Sequence, residues 1–163
     1  MCLGTARAAS VPGAYEKVAN KYSIPSVLLY SMALTESKNN HKGYVRPWPW
    51  TANFQRKSYY FDSREELFHF ASSLVEMGYK SIDIGPMQVN WKWNGHLFSN
   101  LWDATNPYIN IDTGASILNA HYSRLGSFEE AVGAYHSPNN KKNAANYREL
   151  VRTVLNDFLE GRI

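Results

Sequence analysis

Ser23-Ile24-Pro25-Ser26-Val27-Leu28-Leu29-Tyr30-Ser31-Met32-Ala33-Leu34-Thr35-Glu36-Ser37 is the stretch whose reading decides the fold. Written on a helix, Val27, Leu28, Leu29, Met32, Ala33 and Leu34 lie nearly all round it, and a helix apolar on every side is buried. The pattern predicts a central helix capped by Ser23, with Pro25 in its first turn. Glu36 then falls at or near its C-terminal end. A glutamate there is either a solvated group at a helix terminus or an acid in low-polarity surroundings. Burial beside apolar groups disfavours the anion and raises a carboxyl pKa.

The rest of the chain reads as mainly α with one small β element, an α+β arrangement. Residues 1–13 read as a loose tail or leader remnant, and residues 14–163 as one compact domain. A short helix is expected from about Ala14 to Tyr22. From His41 to Asp62 the pattern changes, because Arg46-Pro47-Trp48-Pro49-Trp50 cannot be helical. Thr51 to Phe54 and Tyr59 to Phe61 are β-formers separated by Gln55-Arg56-Lys57-Ser58, which predicts a small hairpin or flap. Ser63-Arg64-Glu65-Glu66 is a capping box opening a helix that Gly78 closes. Ile82 to Ile84 is extended, and Pro86 stands where a short helix carrying Met87 and Gln88 would start. Trp91-Lys92-Trp93-Asn94 begins a connecting segment. Asp112 is placed to cap a helix from Thr113 to Leu125. Ser127-Phe128-Glu129-Glu130 is a second capping box, and residues 137–142 form a loop. A last amphipathic helix carries Tyr147, Leu150, Val151, Val154, Leu155 and Phe158.

Among 163 residues, 44% are hydrophobic and 14% aromatic, with five Trp and eleven Tyr. That is more aromatic surface than a core of this size uses, and aromatic faces suit the apolar C–H faces of sugar rings. The net charge of +3 is mild and interspersed. It favours an anionic polymer weakly and excludes nucleic acid, since there is no basic stripe, zinc-finger spacing or RNP-type motif. One cysteine, Cys2, excludes an internal disulfide. Met1 to Ser10 lacks the apolar core of a signal peptide, although Ala6-Arg7-Ala8-Ala9-Ser10 resembles what remains around a removed leader. No run approaches transmembrane length. The five histidines show no metal-ligand spacing, and there is no P-loop, dinucleotide fingerprint or Gly-x-Ser-x-Gly elbow. No metal or cofactor is expected.

Glycosidic cleavage needs a proton for the leaving oxygen and relief of positive charge at the sugar carbon. Glu36, leaving an apolar helix, is placed to supply the proton. Asp62, Glu65, Glu66, Asp103 and Asp112 have structural uses as caps or solvated faces; Glu36 has none. Gly85-Pro86-Met87-Gln88 offers a tight turn, a soft apolar contact and an amide for an N-acetyl group or hydroxyl. Met87 reads equally as core filler. Asn90 caps or binds. Tyr135 and Tyr147 each put a phenol on a helix, where a half-buried packing role is the simpler reading. Asp83 either braces the turn or acts as a second carboxylate.

Taken together, Glu36-Ser37, then Gly85-Pro86-Met87-Gln88-Val89-Asn90, then Ala134-Tyr135-His136, then Tyr147 resemble in order the motifs of the soluble-type lytic transglycosylase catalytic domain. That domain is related to goose-type lysozyme. The resemblance covers Tyr15 to Phe158 and implies a lysozyme-like helical domain with a small β-hairpin. It implies that Glu36 is the acid and base and that Ser37 supports it or contacts the sugar. It further implies that Met87 and Gln88 line the cleft, and that Tyr147 faces the glutamate. Asn90, Tyr135 and His136 join these as substrate-binding residues. Pro86 replaces the family's Leu, and His136 replaces its Asn. The segment from His41 to Lys80 is longer than in a minimal domain. Its Trp48, Trp50 and Phe54 form a flap over the glycan, a docking surface or a local core.

The implied reaction cleaves the β-1,4 bond between N-acetylmuramic acid and N-acetylglucosamine and closes a 1,6-anhydro ring, using one carboxylate where most glycosidases use two. Hydrolysis of the same bond with Asp83 positioning water is the alternative within enzymes. A glycan-binding module without turnover is the alternative from another class. The expected partners are peptidoglycan glycan strands and an envelope-spanning assembly such as a secretion or conjugation system. The expected setting is periplasmic or exported, and the expected state monomeric.

Overall fold

A computed structural model describes residues 10–41 and 43–163. Cys2 and most of the expected tail lie outside those residues. Among the described residues, helical structure including eight α-helices accounts for 61%, so the mainly α reading holds.

The first helix, α1 (Gly13–Lys21), ends differently from expectation. Ser23 does not cap the next helix. It adopts the left-handed conformation (φ 53°) just past the end of α1. The Ser23 N–H donates to Asn20 O, and Ile24 N–H to Ala19 O. This pair of bonds is a Schellman closure, with serine where glycine is usual. Having closed α1, Ser23 is unavailable to α2 (Ser26–Ser37), which starts after Pro25 with no side-chain cap. Seven residues of α2 are buried, among them Leu29, Met32 and Leu34, as its all-round apolar surface requires.

Two β elements replace the single one expected. β1 (Lys38–His41) follows α2 directly and pairs antiparallel with β2 (Tyr44–Pro47). The second sheet holds β3 (Thr51–Phe54), β4 (Lys57–Tyr60), β5 (Asp83–Ile84) and β6 (Val89–Asn90), in the order β4-β3-β5-β6. Only Gln55 and Arg56 make the β3–β4 turn, with φ of 52° and 66°. It is shorter than the four-residue connection expected, because Lys57 and Ser58 join the ladder. Trp48 is buried, and its Nε1 donates to Phe61 O at 2.8 Å. Trp50 and Phe54 pack against the core.

Ser63 caps α3 (Arg64–Glu76): its Oγ accepts from Glu66 N, while Glu66 reaches back one residue past the cap, to Asp62 N at 3.0 Å. Gly85 to Gln88 form no short helix; they are the turn of the β5–β6 hairpin. The connecting segment holds α4 (Trp91–Asn94), a 3-10 turn (Gly95–Leu97) and α5 (Leu101–Ala104). The long helix α6 (Pro107–Leu125) begins earlier than predicted. Asn106 Oδ1 accepts from Tyr108 N and Ile109 N, and Pro107 takes the first position. Asp112 is therefore an interior residue, not a cap, and pairs with Lys21 at 2.7 Å. Ser127 caps α7 (Phe128–His136) as predicted. Asn140 caps α8 (Lys141–Leu159), shortening the expected loop.

Helices α6, α7 and α8 pack in succession, and α8 lies along α2. Asn110, fully buried in α6, ties this layer to the β5–β6 turn. Its Nδ2 donates to Ile84 O at 2.8 Å and lies 3.2 Å from Ala104 O, and its Oδ1 accepts from Met87 N at 3.0 Å. Truncation leaves buried backbone groups unpaired, which costs far more than the bonds' net worth. Asn110→Ala is expected to lower stability by about 3 kcal/mol. Thermal unfolding should show this as a fall in Tm of roughly 6–12 °C; an unchanged Tm would mean that the turn holds itself.

Candidate active site

Glu36 is the penultimate residue of α2. Because α2 is buried from Leu29 to Leu34, its end delivers the carboxyl group half-buried into a cleft of about 1000 Å³. Asp83, Gln88, Asn90, Tyr135 and His136 line the same cleft. Tyr147 lies outside it and, with Glu36 and His136, lines an adjoining recess of about 420 Å³. The fold therefore gathers around one carboxyl group residues separated by as much as 111 positions.

Tyr147, near the start of α8, donates from its OH to Glu36 Oε1 at 2.6 Å. The His136 ring stacks on the Tyr147 ring, 4.5 Å between centroids and 4° from parallel. Close packing of α7 on α8 makes this possible. A Cβ on Gly133 would meet Ala144 at 3.2 Å.

Ser37 and Met87 do not reach the cleft. Ser37 is buried, with Oγ 2.8 Å from Pro86 O and 2.9 Å from Ala33 O. It ties the end of α2 to the Gly85–Gln88 turn. Met87, expected to line the cleft, is fully buried beneath it. Its carbonyl accepts from Tyr135 OH at 2.7 Å. Gly114 of α6 lets the Met87 side chain lie close, since a Cβ there would stand 2.7 Å from Met87 Cβ. With Met87 turned inward, Gln88 is carried to the cleft in the left-handed conformation (φ 46°). A non-glycine residue held there stores strain, and such outliers cluster at ligand sites. Gln88 Nε2 donates to Gly85 O at 2.9 Å. Gly85 itself has φ 77°, and a Cβ on it would strike the Asn110 amide at 2.5 Å.

Asp83 accepts from Asn90 Nδ2 at 2.8 Å, across the β5–β6 pair. Asn90 also caps α4 through Oδ1. A neighbouring side chain thus steadies Asp83, in place of the backbone N–H groups a turn-bracing role calls for.

Burial pushes the Glu36 carboxyl up from 4.5 to about 7. The Tyr147 hydrogen bond pulls it down, and the negative charge of Asp83 adds to the rise. Burial also raises Asp83, against the opposing effects of Asn90 and His136. Burial lowers His136, which the charge of Asp83 partly offsets. Both buried phenols, Tyr135 and Tyr147, are raised well above their ordinary value and stay protonated at neutral pH.

Asn110 escaped the sequence reading, although an amide between Ile109 and Ile111 on a core-facing helix was a visible signal. Arg56, Trp93 and His121 also line the cleft without having been singled out. Among the described residues no group of His, Cys, Asp and Glu is arranged to hold a metal ion, and no helix is long and apolar enough to cross a membrane.

A mainly α framework with a small antiparallel sheet beside an acid-bearing cleft defines the lysozyme-like class. A sequence model of the transglycosylase SLT domain matches residues 13–150, most of the chain, and the protein belongs to that family. No curated protein and no solved structure matches it. The family acts on peptidoglycan by transglycosylation.

A carboxyl group raised on folding favours the native state while protonated and penalises it once ionised. The penalty is absent below the ordinary value of 4.5 and complete above about 7. Glu36→Gln removes it. The variant is expected to match the parent in Tm at pH 4 and to exceed it by roughly 6–12 °C at pH 8, the equivalent of about 3 kcal/mol. Equal Tm differences at both pH values would show that Glu36 is not desolvated.

Proposed function

We propose that this protein is a lytic transglycosylase in which Glu36 serves first as acid and then as base. In its protonated form Glu36 gives a proton to the oxygen linking N-acetylmuramic acid to N-acetylglucosamine, and the bond from C1 to that oxygen breaks. The acetamido group of the muramic residue stabilises the carbon left positive. Glu36, now a carboxylate, takes the proton of the C6 hydroxyl, whose oxygen bonds to C1. The 1,6-anhydro ring is closed and Glu36 is protonated again, with no water added and no cofactor. The observation that carries this reading is the Glu36 carboxyl pushed to about 7 in the cleft, where both protonation states are accessible.

Tyr147 supports the reading by donating to the carboxylate, which stabilises the anion formed midway through the cycle. Gln88, Asn90 and His136 contact the glycan from the wall. Ser37, Met87 and Tyr135 hold that wall through the bonds described above. The catalytic unit is the single domain of residues 14–163, acting as a monomer. Its substrate lies outside the cytoplasm, so it works in the periplasm or after export, opening the wall for an envelope-spanning secretion or conjugation assembly. Loss of the gene without impairment of any such assembly would remove that last point.

Hydrolysis remains a second reading because Asp83 lines the same cleft and acts on the Glu36 charge. Mass spectrometry of soluble products from purified peptidoglycan separates the two. The expected products are anhydro-muropeptides, one water lighter than hydrolytic ones. Glu36→Gln should lower their yield by about 10³-fold or more, in the range of a lost general acid–base group. Reducing-end products that vanish in Asp83→Asn would establish the lysozyme reaction. Absence of any product would point to a binding module.

A further inference from the structure

Among the described residues Arg56 is the only lysine or arginine lining the cleft, where the acids are Glu36 and Asp83. Its side chain is exposed, and among the described residues it makes no hydrogen bond, ion pair or ring contact. The turn that presents it is costly. Two-residue hairpin turns of this hand favour Asn-Gly, because both positions need positive φ. Here Gln55 and Arg56 occupy them at 52° and 66°. A bulky cation is thus kept at a strained position where glycine is the relaxed choice, and it opens on the cleft with no protein partner. Trp93, 66% exposed, lines the same cleft, with the Lys92 ammonium 4.4 Å over its ring centroid.

We propose that Arg56 binds a carboxylate carried by a muramic residue of the strand, so that the cleft selects for substrate charge as well as sugar. The proposal rests on the transglycosylase reading for its substrate. Two sources supply that chemistry: the stem peptide, or the lactyl group once an amidase has removed the peptide. A guanidinium suits a carboxylate because its planar fork donates two parallel bonds.

Arg56→Gly tests this, because binding and strain move in opposite directions. Removing the side chain at positive φ should leave Tm equal or higher. KM on purified strands should rise about 5-fold with kcat retained, in keeping with a solvent-exposed charge pair, and salt should weaken the variant's binding less. Lys57→Ala, an equal change of charge on the same hairpin but away from the cleft, should stay near the parent. A defect confined to peptide-bearing strands assigns the stem peptide, and one confined to amidase-stripped strands assigns the lactyl carboxylate, which is an amide while the peptide is attached; an equal defect on both places Arg56 on the sugar instead and overturns the proposal. A parental KM for Arg56→Gly on both strands, or an equal defect in Lys57→Ala, overturns the proposal. Co-sedimentation of Glu36→Gln with strands, with and without Arg56→Gly, reads the contact independently of turnover. Failure of the parent to form any product while this binding difference persists would therefore sink the transglycosylase reading alone.

Discussion

Desolvation of Glu36 is the constraint on which the site depends, and it comes from the helix that carries the residue. An amphipathic helix would have presented its terminal glutamate to water. α2 is apolar all round and packed on several sides, so its last turn emerges where protein still surrounds it. The carboxyl group is then held near 7, at a cost in native stability that the rest of the core has to offset. Tyr147 tempers the effect without abolishing it. A phenol raised far above its ordinary value is a dependable donor at neutral pH, so it can favour the anion without ever giving up its own proton.

A second set of bonds keeps the opposite wall in register with that helix. The turn from Gly85 to Gln88 is closed by one backbone bond of its own, Gln88 N–H to Gly85 O at 3.0 Å. It is held from below by Asn110 at Met87 N, from α7 by Tyr135 at Met87 O, and from α2 by Ser37 at Pro86 O. Three helices thus meet on two consecutive peptide units. Only with the turn so fixed can Gln88 persist at positive φ. Proline at position 86 fits this arrangement, because the structure uses that residue's carbonyl and needs no N–H from it.

Where the sequence was legible, the signal was local or periodic. The all-round apolar run announced a buried helix, and Ser63 and Ser127 announced helix starts by a side chain that pairs with a backbone N–H three residues on. Where it misled, two local signals competed. Ser23 and Asp112 both look like caps, but the Schellman closure claimed Ser23 and Lys21 claimed Asp112. The stronger start, Asn106 followed by Pro107, had already opened α6. The motifs located Glu36, Gln88 and Tyr147 near one another, since their order carried that information. They did not say which members of a motif face the cleft. Met87 and Gln88 are neighbours, and only the hairpin geometry decides that Met87 points inward.

Backbone strain is unevenly distributed, and that bears on how the molecule divides its tasks. Four non-glycine residues among those described have positive φ: Ser23, Gln55, Arg56 and Gln88. Ser23 closes a helix, a common structural use. Arg56 and Gln88 both line the cleft, on two different hairpins of one sheet, and Gln55 shares its turn with Arg56. A stable fold has no need of either hairpin in this form, since glycine relieves such positions at little cost. The helical layer carries the acid, while the small sheet holds side chains over the cleft in conformations that packing alone does not favour. The two turns share one device: a non-glycine residue at positive φ that presents a polar side chain to the cleft where glycine would leave only backbone.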